Sequence, residues 1–78
     1  MERIYVLVKV EGDDIKKVMA TVKAIAGVKR ADPVTGTHDL VITVEGEALP
    51  NLLGTVVREI RAAKGIAQTE TLVVISDI

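Results

Sequence analysis

The feature that most constrains this 78-residue chain is that its two halves resemble each other. Val8-Lys9-Val10-Glu11-Gly12 matches Ile42-Thr43-Val44-Glu45-Gly46 at an offset of 34 residues, and Gly27-Val28 matches Gly65-Ile66 at an offset of 38. The difference of four is about one helical turn, at roughly 3.6 residues per turn. Each half therefore reads as strand, helix, strand, with the longer helix in the second half. Two separate cores would leave each half near the size below which chains need disulfides or metals to fold. A single domain over residues 1–78 is expected, with no linker, low-complexity segment or second domain.

The residues between the repeats agree with that reading. Ile4 to Glu11 is crowded with β-branched residues and short enough for a strand. Ile15, Val18, Met19, Val22, Ile25 and Ala26 then recur at steps of three and four, which predicts an amphipathic helix with Asp13 as N-cap and Gly27 as the left-handed C-terminal residue. Val28 to Thr35 forms a second strand, and Pro33 assigns it to a sheet edge or a bulge, because proline cannot donate to a central ladder. A turn at Gly36 returns the chain as a third strand, Asp39 or Leu40 to Glu45. Leu49, Leu52, Leu53, Val56, Val57, Ile60 and Ala63 share one side of the longer helix, which begins around Pro50 and closes at Gly65. Ala67 to Ser76 supplies the fourth strand. The resulting βαββαβ order predicts an α+β, ferredoxin-like fold: four antiparallel strands in spatial order 4-1-3-2, with both helices on one face.

Composition narrows the chemistry. Cysteine is absent, which removes disulfides, thiol nucleophiles and cysteine-ligated metals. Tyr5 is the only aromatic residue, so base stacking on nucleic acid is nearly excluded, and a net charge of -1 offers no field to draw a polyanion. The longest apolar run, Ile4 to Val8, is far too short to span a membrane, so a soluble, cytoplasmic protein is expected. One serine, Ser76, and one histidine, His38, leave no standard catalytic constellation, and no nucleotide-binding glycine motif occurs. Neither enzymatic activity nor a cofactor is expected. Glu11, Asp13 and Asp14 are hard-cation donors in type, but acids at a helix N-terminus are what capping and the helix dipole select. Arg58, Arg61 and Lys64 likewise read as a solvated, dipole-matched face.

Two features ask for a partner or a ligand. Ile4, Val6, Val8 and Val10, with Leu40, Ile42 and Val44, form the helix-facing sets, yet Tyr5, Leu7 and Val41 make the opposite face apolar as well, and strand four is apolar on both sides at Leu72 to Ile75. A sheet with helices on one face should be wet on the other, so a second copy is expected to cover it. The second feature is the segment Val34 to Val41 taken with Gln68 to Val74, which the topology places at one end of the sheet but on opposite edges. Three strand steps of about 4.8 Å would hold them roughly 14 Å apart in one chain.

The order and spacing of Tyr5-Val6-Leu7-Val8, Ile25-Ala26-Gly27-Val28, Thr35-Gly36-Thr37-His38-Asp39-Leu40 and Thr69-Glu70-Thr71-Leu72-Val73-Val74 resemble the effector-binding domain of the Lrp/AsnC (feast/famine) transcription regulators over essentially the whole chain. The chain lacks the N-terminal helix-turn-helix of those regulators, so it is similar to the form without a DNA-binding domain, and direct DNA binding is not expected. The resemblance implies a sheet-paired dimer (a dimeric α+β barrel), rings of dimers, and a small amino-acid ligand held between subunits. It implies ligand contacts at Gly36, Thr37, His38 and Asp39 in the hairpin and at Thr69 and Thr71 in strand four. Backbone N–H groups at a glycine turn suit an α-carboxylate, Asp39 an α-ammonium, and threonine hydroxyls either. Any regulatory effect is expected to be indirect, through mixed assembly with full-length Lrp/AsnC regulators by the surfaces used for self-association. The competing readings are an ACT-like sensor, a ligand-free assembly module and a small dimeric α+β barrel enzyme.

Overall fold

Strands and helices alternate as β1 (Glu2–Val10), α1 (Ile15–Lys23), β2 (Val28–Pro33), β3 (Leu40–Gly46), a second helix α2 over residues 49–62, and β4 (Ile66–Val73). The structure is a computed structural model and describes residues 1–12 and 14–75. The sheet order is β2-β3-β1-β4 with every neighbouring pair antiparallel, the expected ferredoxin-like arrangement. Pro33 lies in an edge strand, as its missing N–H requires, and the β2 ladder also shifts register between Val28 and Arg30.

Alternation decides the core. Ile4, Val6 and Val8 of β1 and Leu40, Ile42 and Val44 of β3 are fully buried beneath Val18 and Val22 of α1 and Leu52, Val56 and Ile60 of α2. Each such side chain is worth about 1.5 to 3 kcal/mol of burial, which is how an aliphatic chain with a single aromatic residue holds together.

Local chemistry departs from the sequence-based expectation in four places. The N-cap of α1 is Asp14, not Asp13, which lies outside the described residues. Asp14 has extended backbone directly before the first helical residue, and its Oδ1 accepts the Lys16 N–H at 2.8 Å. Gly27 does not cap α1, which ends at Lys23. Instead the Val28 N–H donates to the Ile25 carbonyl (3.1 Å) with Gly27 at φ 98°, and the Ile66 N–H donates to the Ala63 carbonyl (3.3 Å) with Gly65 at φ 92°. Both are turns that need positive φ at the third position, so the internal repeat marks two equivalent helix-to-strand turns rather than two helix caps.

Leu53 is the third difference: it is 41% exposed and does not join the α2 core stripe. Residues Leu52–Val56 are π-helical, with the Val57 N–H bonded to the Leu52 carbonyl, between a short turn at Leu49–Asn51 and an α-helical stretch Val57–Ala62. The wide turn holds one residue more than an α-turn, so Val56 and Val57 both face the sheet and Leu53 is turned aside. Fourth, β2 stops at Pro33 and β4 at Val73, short of Thr35 and Ser76; Ser76 lies outside the described residues. Among the described residues no helix is long and apolar enough to cross a membrane.

Candidate functional site

The β2–β3 hairpin is bonded to β1 as well as across its own two strands. The Val34 N–H closes it on the Asp39 carbonyl at 3.0 Å, leaving Thr35 to His38 as the loop. The Asp39 N–H then donates to the Val8 carbonyl at 2.8 Å, and Asp39 Oδ2 accepts the Val10 N–H at 2.8 Å. The carboxylate therefore extends the β1–β3 ladder past its last backbone pair, Val8 with Leu40. His38 continues in the same direction, its Nε2 lying 3.8 Å from Glu70 Oε1 on β4, with Nδ1 3.3 Å from Thr37 Oγ1.

This corrects the expected 14 Å separation between the hairpin and strand four. The two lie close in one chain because β4 borders β1 directly and the hairpin folds inward over the end of β1. Among the described residues no backbone carbonyl takes up the N–H groups of Gly36, Thr37 or His38, which leaves three backbone donors in the hairpin loop that precedes Asp39.

Thr69 and Thr71 belong elsewhere. Register pairs them with Val8 and Val6, so their side chains emerge on the helix side of the sheet, whereas Glu70, opposite Leu7, emerges on the open side where His38 meets it. The threonines line an open groove of about 610 Å³ between α2 and the edge strand β4, together with Val57, Arg61, Ile66, Ala67 and Gln68. No hairpin residue reaches it. The six residues expected to share one ligand thus fall into two groups, and they do not line one cavity within a single chain.

Sequence reasoning missed three participants. Val10 enters through its backbone N–H, which no side-chain pattern reveals. Glu70 sits between two threonines and is sent to the other face by strand alternation, a signal that was legible once Thr69 and Thr71 were singled out. Arg61 was read as part of a solvated basic face, yet it lines the threonine groove.

On the open side of the sheet Tyr5, Leu7 and Val41 are half-buried, and Leu72 is exposed. Ion pairs flank this apolar strip. Arg3 Nε and Nη2 both reach Glu45 Oε2, at 2.8 and 2.7 Å, and Glu45 raises the guanidinium above its already high ordinary value. Arg30 holds Asp32 in a bidentate pair, at 3.2 and 3.0 Å, which keeps that carboxyl below its ordinary range. Among the described residues no group of three or more acidic or histidine side chains is placed to hold a metal ion.

The class of protein these features define is a ferredoxin-like α+β domain with an apolar strip on its open sheet face and a hydrogen-bonding hairpin at its rim. The family model for the Lrp/AsnC ligand binding domain matches residues 3–78, and the chain belongs to that family, a regulatory ligand-binding domain and not an enzyme family. Among solved structures, FFRP-DM1 is similar at 29% identity and a TM-score of 0.85, over 96% of this chain and 100% of that one. AsnC from E. coli shares the fold at 21% identity and a TM-score of 0.84, over 97% of this chain and 52% of AsnC. The Neisseria meningitidis transcriptional regulator NMB0573, solved as a complex with L-Met, shares it at 14% identity and a TM-score of 0.69, over 99% of this chain and 51% of that one. No curated sequence matches.

Proposed function

We propose that this protein is an amino-acid-binding assembly module of the cytoplasm, which self-associates through its open sheet face and holds its ligand between subunits. The observation that carries the reading is the division of the site. Three unclaimed N–H groups at Gly36 to His38 and the Asp39 carboxylate lie at the hairpin, while the Thr69 and Thr71 hydroxyls lie in a groove that no hairpin residue lines. One small zwitterion meets both sets when a neighbouring subunit brings its groove to the hairpin of the first. Its α-carboxylate is then held by the N–H groups and its α-ammonium by the Asp39 oxygen that Val10 leaves free. The L-Met complex of NMB0573, which has this fold, supports an amino acid as the ligand class.

Assembly is supported by the strip of Tyr5, Leu7, Val41 and Leu72, and the same surfaces suit mixed assembly with full-length Lrp/AsnC regulators. With a net charge of -1 the domain itself has no useful affinity for duplex DNA, and its influence on transcription is indirect.

The experiment joins light scattering with calorimetric titration of the common amino acids. The chain elutes as a multiple of 8.3 kDa. Leu7→Lys, which places a cation opposite Glu70 and so leaves the subunit folded, dissociates the assembly and abolishes ligand binding with it. A wild-type monomer at micromolar concentration rejects the assembly. A second reading, an assembly module without a ligand, is favoured by one observation: Asp39 and His38 already have partners within the chain. Failure of every amino acid to bind the wild type at millimolar concentration selects it.

A further inference from the structure

The groove beside β4 has a charge of one sign. Arg61 lines it with Gln68, Thr69 and Thr71 over an apolar floor of Val57 and Ile66. A second concavity of about 460 Å³ continues along α2, shares Val57 and Arg61 with the first, and adds Arg58. Among the described residues no carboxylate lines either one. The nearest acids in sequence are Glu59 and Glu70. Glu59 lines neither concavity, and Glu70 points to the other side of the sheet, where His38 faces it. Among the described residues Arg58 and Arg61 have no ion-pair partner, although Arg3 and Arg30 each do.

This separation departs from the surface average. The chain carries eleven acids against ten bases, so two adjoining concavities that hold two arginines between them and, among the described residues, no acid do not have the sign that composition favours. A guanidinium with unused donors, next to an amide and two hydroxyls and above an aliphatic floor, is complementary to an anionic group at the end of a short hydrocarbon. The floor sets the second requirement, since Ile66 is only half-buried there and a bare inorganic ion would leave it uncovered.

We propose that this groove binds the carboxylate of a small aliphatic ligand through Arg61. Taken with the amino-acid reading above, on which this step rests, the ligand is an acidic amino acid, with its α-groups at the hairpin of one subunit and its side-chain carboxylate at Arg61 of the next. The Thr69 and Thr71 hydroxyls donate to the same carboxylate, and Gln68 lines the groove beside them.

The test uses the assembled wild-type protein and Arg61→Gln, titrated calorimetrically with L-aspartate, L-glutamate, L-asparagine, L-glutamine, glutarate and inorganic phosphate. An acid is expected to bind about ten-fold or more tightly than its isosteric amide, as one charge-assisted hydrogen bond warrants. Arg61→Gln removes that preference, and light scattering shows its assembly unchanged. Amides that bind as tightly as acids, or a preference that survives Arg61→Gln, overturn the inference and leave the amino-acid reading intact. Arg61-dependent binding of glutarate without binding of any amino acid upholds the carboxylate groove and overturns the amino-acid reading. Binding of phosphate alone, or of none of these probes, overturns the groove inference.

Discussion

The two faces of the sheet carry nearly the same kind of side chain and have different fates. Along β1, Ile4, Val6 and Val8 have no accessible surface, while Tyr5 and Leu7 between them stay half-exposed; along β3, Ile42 and Val44 are sealed while Val41 is not. Hydrophobicity does not separate the faces, because Ile4 to Val8 is apolar throughout, the pattern of a strand covered on both sides. Coverage separates them. Helices α1 and α2 lie on one face, and among the described residues no helix or strand lies on the other.

The comparison is tested most severely by paired truncations across it. Ile42→Ala should cost about 2 to 5 kcal/mol in denaturant unfolding, a large part of the total for a domain whose stability is about 4 to 12 kcal/mol on a per-residue basis. Val41→Ala, its neighbour on the open face, should cost far less in dilute solution, and its cost should grow with protein concentration as assembly covers the residue. Equal, concentration-independent costs would break the distinction between the faces.

A smaller effect is expected where the hairpin crosses β1. Asp39→Ala leaves the Val10 N–H without its acceptor and should destabilise by about 1.5 to 3 kcal/mol, the range for a hydrogen bond to a charged group. Asp39→Asn keeps an acceptor oxygen in place, so it should unfold near wild type while losing the charge proposed to hold an ammonium. Thermal melts and ligand titration of the two variants separate the structural role of Asp39 from the binding role. Should Asp39→Asn bind the amino acid as tightly as wild type, the placement of the ammonium is wrong.

The smallest effect lies at the rim of the open face, in the exposed Arg30–Asp32 pair. The Arg30 guanidinium lowers the Asp32 carboxyl below its ordinary value, so the pair's contribution is complete above that ordinary value and is lost as pH falls through the lower, folded one. Any difference in melting temperature between wild type and Asp32→Asn should therefore be present at neutral pH and vanish in strong acid. The solvent exposure of both side chains makes it small.

Much of this was readable from one dimension. Strand order, edge placement of β2 and the sealed residues of β1 and β3 follow from period-two alternation, the internal repeat and Pro33, all of which are local signals. Leu53 was misread because a wide turn changes which residues share a helix face, and a period of 3.6 cannot register that. The functions of the two repeat glycines were also misplaced. Their positive φ was legible, but whether it serves a helix cap or a turn three residues later depends on where α1 stops.

The sequence by itself determined the class of fold, the aliphatic core and the motifs at both ends of the proposed site, because hydrophobic periodicity and glycine conformations act over a few residues. Only the tertiary structure decided how those motifs meet. The hairpin leans over β1 because Asp39 finds the Val10 N–H 29 residues away in the chain, His38 reaches Glu70, and Thr69 and Thr71 are carried to the opposite side to face Arg61. Such contacts depend on which strands are neighbours and on which side of the pleat each residue emerges, and those are properties of the assembled sheet rather than of any one segment.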